Sequence, residues 1–164
     1  MVRIRKIPQT GLRITAKMET PHRTAIAAGD KTLRLDMPQL LGGTHRGIMP
    51  LEAVVAAYAG SLNVVGNFVA KTMDFDLRHW EFTIWAEFDP SGIWGLAKVR
   101  KPILVVHVEA QVTTTESERR LTELRKRLAE RDPVHNLLKT AGVRFKETWE
   151  RVSPKSRAKK SRKK

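Results

Sequence analysis

The sequence predicts an α+β fold, and three patterns predict it. Seven short runs read as strands, several of them alternating apolar and polar residues as half-buried strands do. One stretch, residues 53–70, holds no charge over 18 positions, far too long for a strand. A leucine stripe at Leu121, Leu124 and Leu128 has helical spacing. The order is strands, long helix, strands, two helices, strand. Strands grouped in this way, rather than alternating one by one with helices, point to antiparallel sheets packed on helices.

The strands come first. Residues 2–7 (VRIRKI) and 12–18 (LRITAKM) alternate on either side of a Pro–Gln–Thr–Gly turn. Residues 23–28 and 32–36 follow as a third and a fourth strand around Gly29–Asp30, a turn pair. Residues 42–50 (GGTHRGIMP) form a glycine-rich loop, and Pro50 opens the long helix, as proline does well in a first turn. That helix is predicted to run to about Asp74. It contains Ser61, Asn63, Asn67 and two glycines and stands alone among strand patterns, so it is read as a core helix and not as a membrane span. A helix apolar on nearly every face must be buried on every face. In so short a chain that calls for a partner subunit, and a homodimer is predicted.

Residues 77–89 alternate so that Trp80, Phe82, Ile84, Ala86 and Phe88 face a core. After a Pro90–Ser91–Gly92 turn, residues 102–113 form a strand with Leu104, Val106 and Val108 on one face. Thr115 or Ser117 caps the helix that carries the leucine stripe. A shorter helix opens at Pro133, with Val134, Leu137, Leu138 and Ala141 inward, and ends at Gly142; residues 143–152 close the domain as a strand. Residues 1–152 therefore read as one domain.

Charge and composition narrow the function. The net charge of +14 is unevenly distributed: residues 153–164 hold seven basic residues and residues 1–17 hold five, with no acid in either segment, leaving +2 on residues 18–152. The tail is almost devoid of apolar residues and is predicted to be disordered. Its Lys155, Arg157, Lys159, Lys160, Arg162, Lys163 and Lys164 are candidates for weak nucleic-acid binding, although no aromatic residue is present there to stack on bases. No signal-peptide core precedes the strands, so a cytoplasmic location is predicted. Few Asn and Gln beside many Arg and Glu is a composition met in heat-stable proteins. Cysteine is absent, which excludes thiol catalysis, disulfides and Cys-ligated metals.

Three segments together carry a family resemblance: RLDMPQLLGGTHRGIMPLEAVVAAYAGSLN (34–63), DPSGIWG (89–95) and RDPVHNLL (131–138). Over residues 10–150 the chain resembles the OsmC/Ohr proteins of the peroxide response. The resemblance implies an intertwined α+β dimer with long buried central helices and two sites at the subunit interface. It also implies a chemistry: a cysteine thiolate on the long helix attacks a hydroperoxide, and a second cysteine, in Cys–Pro–Val, resolves the sulfenic acid. Here the first position is Ser61 and the second is Asp132, before Pro133–Val134. The family glutamate after the proline is Leu51, with Glu52 one residue later, and Arg23 loosely matches the family arginine. A serine hydroxyl is scarcely ionised at neutral pH and cannot climb the sulfenic-acid ladder. The chain thus reads as an OsmC-like protein without peroxidase activity, its interface pocket near Ser61, Asp132, Glu52, Arg23 and Tyr58 kept for a small, partly apolar molecule.

Other residues admit two readings each. Ser61 is a nucleophile if His135 or His45 serves as its base; otherwise it permits close helix packing and bonds a carbonyl one turn back. His45 and Arg46 either bind an anion before the helix or belong to a tight turn built on Gly42, Gly43 and Gly47. Trp80, Trp85, Trp94, Trp149 and Tyr58 either line a ligand pocket or anchor a core. Asn63 and Asn67, one turn apart, either polarise a ligand or pair across a dimer. His107 and Glu109 share a strand face, but the histidine spacing does not suit a metal, and neither a metal nor another cofactor is expected.

Overall fold

The computed structural model describes residues 10–154. The predicted strand 2–7 and the basic tail residues 155–164 lie outside the described residues. The chain divides into two compact units, Met1–Ala53 and Val54–Lys164.

The first unit is a three-stranded antiparallel meander. β1 (Thr15–Thr20), β2 (Arg23–Ala28) and β3 (Lys31–Asp36) lie in that order, with Ile26 opposite both Ala16 and Leu33. Gly29, at φ +62°, turns β2 into β3. The glycine-rich loop then folds over the end of β3. A Cβ on Gly43 would stand 1.8 Å from the Met37 carbonyl oxygen, so the tight-turn reading of this loop holds sterically. The long helix, α1 (Pro50–Thr72), begins in this unit and continues into the second.

The second unit holds β4 (His79–Phe88), β5 (Ile103–Thr113), α2 (Glu118–Arg131), α3 (Pro133–Thr140) and β6 (Arg144–Val152). The sheet order is β4-β5-β6. β4 and β5 pair antiparallel, but β5 and β6 pair parallel, so this sheet is mixed and corrects the antiparallel prediction. The reason lies in the connection: two helices intervene between β5 and β6 and return the chain to the starting end of β5.

The core of this unit joins α1, the sheet and α2. Tyr58, Leu62, Gly66 and Val69 form the buried face of α1, at spacings of four and three. Val106, Val108, Ala110 and Val112 face inward from β5, and Leu121, Leu124 and Leu128 from α2. Trp80 fits over Gly66, where a Cβ would lie 1.9 Å from its ring, and its indole donates to Asn63 Oδ1 at 2.9 Å. Arg120, on the charged side of α2, donates to the carbonyls of Met73 and Asp74, satisfying free oxygens beyond the C-terminal end of α1.

Several predicted burials fail. Phe88, at the end of β4, is exposed. Leu104 is exposed and Val105 is buried, because the β4–β5 register shifts between Glu87 and Phe88. Leu137 faces out at 69% exposure and Ala141 is also exposed, while His135 takes an inward place on α3. α1 is not covered on every side by its own chain: Val54, Val64 and Phe68 are exposed. By length and composition α1, with an 18-residue window of mean hydropathy 1.5, is long and apolar enough to cross a membrane; its buried side is the Tyr58, Leu62, Gly66 and Val69 face that packs on Trp80.

Candidate functional site

Tyr58 and Ser61 lie one turn apart on the same face of α1. Facing them is the junction of α2 and α3, made by Asp132. An Asp followed by Pro is a strong helix start: the carboxylate accepts free amides and the proline needs none. Asp132 Oδ1 accepts from the amides of Val134 and His135, each at 2.8 Å, while the Asp132 amide donates back to Leu128. The residue is fully buried.

Ser61 Oγ donates to the same Asp132 Oδ1 at 2.8 Å. The back-bond to a carbonyl one turn earlier, expected from the sequence, is thus replaced by a contact across 71 residues of chain. Asp132 Oδ2 is buried and accepts nothing among the described residues.

His135, brought inward by the same cap, places Nδ1 3.3 Å from the Tyr58 hydroxyl and stacks on Phe145 at 4.2 Å. Burial holds its pKa below the ordinary imidazole value against the nearby carboxylates of Glu147 and Asp132. Burial, with the charges of Glu147 and Asp132, raises the Tyr58 phenol far above its usual range. Tyr58 therefore stays protonated. The imidazole of His135 serves Tyr58, not Ser61, and Asp132 reaches only the backbone of His135. A Ser–His–Asp relay is not assembled here. The Tyr58–His135 pairing was not foreseen from the sequence; only the stride from the Asp132 cap to His135 hinted that this ring turns inward.

The other predicted site residues belong to the first unit. Arg23 donates to Glu19 at 2.7 Å and to Thr44 Oγ1 at 2.8 Å, and Glu19 also receives Arg34. The hydrogen bond from Arg34 leads, with Arg23 adding to it, in lowering the pKa of Glu19 against partial burial. Thr44 in turn donates to Asp36 Oδ2. Burial opposes ionisation of Asp36, but bonds from the Thr44 hydroxyl and from the amides of Arg46, Thr44 and Met37 outweigh it and hold the carboxyl far below the usual range. The Thr44 and Arg46 amides that an anion would need are thus occupied by Asp36. Glu52 accepts the Met49 amide at 2.7 Å, the return half of a capping box at the start of α1.

The remaining candidates are divided. Trp80, Phe82 and Trp149 form one ring cluster, whereas Trp85 stacks on His107 at 4.7 Å and Trp94 is exposed. His107 pairs with Glu87, and among the described residues no group of three or more metal-ligating side chains exists. Asn67 donates to Asn63 within the helix, and Asn63 holds Trp80.

The family model described as OsmC-like protein matches residues 43–148. The chain belongs to the OsmC-like family. Its fold is similar to that of an OsmC-like protein from Mycoplasma pneumoniae, with a TM-score of 0.72, 16% identity, 87% of this chain and 99% of that one covered. It is also similar to an organic hydroperoxide resistance protein OsmC from Legionella pneumophila, with a TM-score of 0.68, 19% identity, and 88% and 99% covered. A third is the organic hydroperoxide resistance protein from Elizabethkingia anophelis, with a TM-score of 0.69, 14% identity, and 88% and 99% covered. No curated protein sequence matches significantly. This OsmC-like chain has no cysteine at all.

Proposed function

We propose that this OsmC-like protein is not a thiol peroxidase and that its Ser61–Asp132 site binds a small, partly apolar molecule at the interface of a cytoplasmic homodimer. The observation that carries the reading is the pair itself. The two residues that the family resemblance equates with the redox cysteines are hydrogen-bonded at 2.8 Å, and the second oxygen of Asp132 is buried with no partner. A buried carboxylate oxygen without a donor is costly, so it favours a ligand or subunit that supplies one. Tyr58 adds an apolar ring beside it. Arg23 and Glu52, engaged in an ion pair and a helix cap, are given no ligand role in this proposal. The exposed Val54, Val64 and Phe68 of α1 support a partner subunit, since apolar side chains gain by leaving water.

A thermal-shift screen of small molecules tests the site. Stabilising compounds are expected with the wild type and lost with Ser61→Trp, which fills the space. Compounds that stabilise both chains equally would rule this site out.

The basic tail supports a second reading, a weak association with nucleic acid through Lys155, Arg157, Lys159, Lys160, Arg162, Lys163 and Lys164. Deletion of residues 153–164 is expected to abolish salt-sensitive RNA or DNA binding; a full chain that does not bind at low salt ends this reading.

A further inference from the structure

We propose that the groove between α2, α3 and β6 is a second binding site, for a small aromatic carboxylate held by His135 and Lys139. The groove has a volume of about 820 Å³ and lies wholly within the second unit. Phe145, Val143 and Ala129 give it apolar walls, and His135, Lys126 and Lys139 give it polar ones.

His135 is the informative residue, because it is only 6% exposed and yet lines the groove. Its hydrogen placement follows from its neighbour. The Tyr58 hydroxyl is buried, protonated, and has only one hydrogen-bond partner among the described residues, His135 Nδ1. If the imidazole donated to it, the phenol hydrogen would be left buried without an acceptor, which is costly. The phenol therefore donates, Nδ1 accepts, and the neutral ring carries its hydrogen on Nε2. That nitrogen has no partner among the described residues and is not enclosed. Burial keeps the ring neutral near neutral pH. The groove is thus presented with a fixed N–H donor.

The charge pattern suits an anion. The lining holds three cations, Arg125, Lys126 and Lys139, against two acids, Glu130 and Glu147. Arg125 pairs with Glu147 at 3.2 Å, and the charges of Glu147 and of the buried Asp132 also reach the His135 ring. Lys139 is near enough for its charge to act on the His135 ring. One donor and one countercharge are what a carboxylate needs. Phe145, stacked on His135 at 4.2 Å, offers an aromatic ring a flat partner beside the donor. Acetate would use only the polar half of the site, whereas benzoate would use both halves.

Benzoate is the probe. In the full chain, benzoate titration followed by imidazole NMR is expected to shift the His135 signals saturably, with affinity about tenfold better than that of acetate. Lys139→Glu, at an exposed position, is expected to weaken benzoate about tenfold at low salt. The His135 shift with benzoate is read independently of the thermal-shift screen at Ser61, so failure here is separable from failure of the Ser61–Asp132 reading. Absence of a saturable His135 shift, equal affinities for benzoate and acetate, or full binding by Lys139→Glu would each overturn the proposal.

Discussion

Ser61 Oγ and Asp132 Oδ1 meet at 2.8 Å, joining the middle of α1 to the hinge of α2 and α3. Asp132 Oδ1 accepts three donors in all, two of them the free amides of α3. The contact is therefore both a helix cap and a clasp between helices. Asp132→Ala removes the cap and leaves buried amides unpaired, and should cost about 2–4 kcal/mol. Ser61→Ala removes one donor while the cap survives, and should cost about 1 kcal/mol. Denaturant unfolding of both variants measures the difference; equal costs would deny Asp132 its capping role.

The same proximity permits a covalent test. Asp132 Oδ1, 2.8 Å from Ser61 Oγ, lies one bond beyond the place of a cysteine Sγ, so two sulfurs here must close a further gap to reach a bond length of about 2.05 Å. The double variant Ser61→Cys, Asp132→Cys is expected to lose both free thiols on mild oxidation as a monomer-internal disulfide. The absence of any other cysteine makes the thiol count unambiguous. Two thiols persisting in the folded, oxidant-treated protein would mean that α1 and the α2–α3 junction do not approach closely enough for a bond.

Gly66 illustrates two opposed effects. Alanine in a helix is worth about 1 kcal/mol over glycine. Here its Cβ would stand 1.9 Å from the Trp80 ring, which is packed against Phe82 and Trp149 and held by Asn63. Overpacking of this kind costs about 1–3 kcal/mol, so the clash wins. Gly66→Ala should lower the Tm and change the tryptophan emission; a raised Tm would show that the indole is free to move.

His135 gives a pH dependence of definite sign. Its folded pKa lies below its unfolded value, so at mildly acidic pH the unfolded chain binds a proton that the folded chain does not. This contribution is complete above the unfolded imidazole pKa and is lost as pH falls from there toward the folded value. Wild-type stability should drop between about pH 7 and pH 5, and His135→Gln should show a smaller drop. Parallel denaturation curves at both pH values check this; equal drops would show that His135 is not held neutral.

Much of this was legible in the residues, and the failures have physical causes. The period-2 pattern of β4 correctly put Trp80, Phe82 and Ile84 inward and Trp85 outward, because a strand has two faces and one is wet. Strand direction is not written in periodicity, so the parallel β5–β6 pair went unread. Leu104 was misplaced because a register shift carries no compositional mark, and Leu137 because hydrophobicity ranked it above His135, whose ring finds Tyr58 and Phe145 inside. In the site, only family resemblance linked Ser61 with Asp132; a contact across 71 residues leaves no local signal. Arg23 and Glu52 entered the candidate site through the family resemblance, and each has a local partner that accounts for it.

This OsmC-like chain has no cysteine, and a serine–aspartate pair stands where the family resemblance places redox thiols. Organic hydroperoxide consumption in the presence of a dithiol reductant tests it most directly. No consumption above the protein-free rate is expected with the wild-type chain. Turnover comparable with that of a cysteine-containing OsmC protein would contradict it.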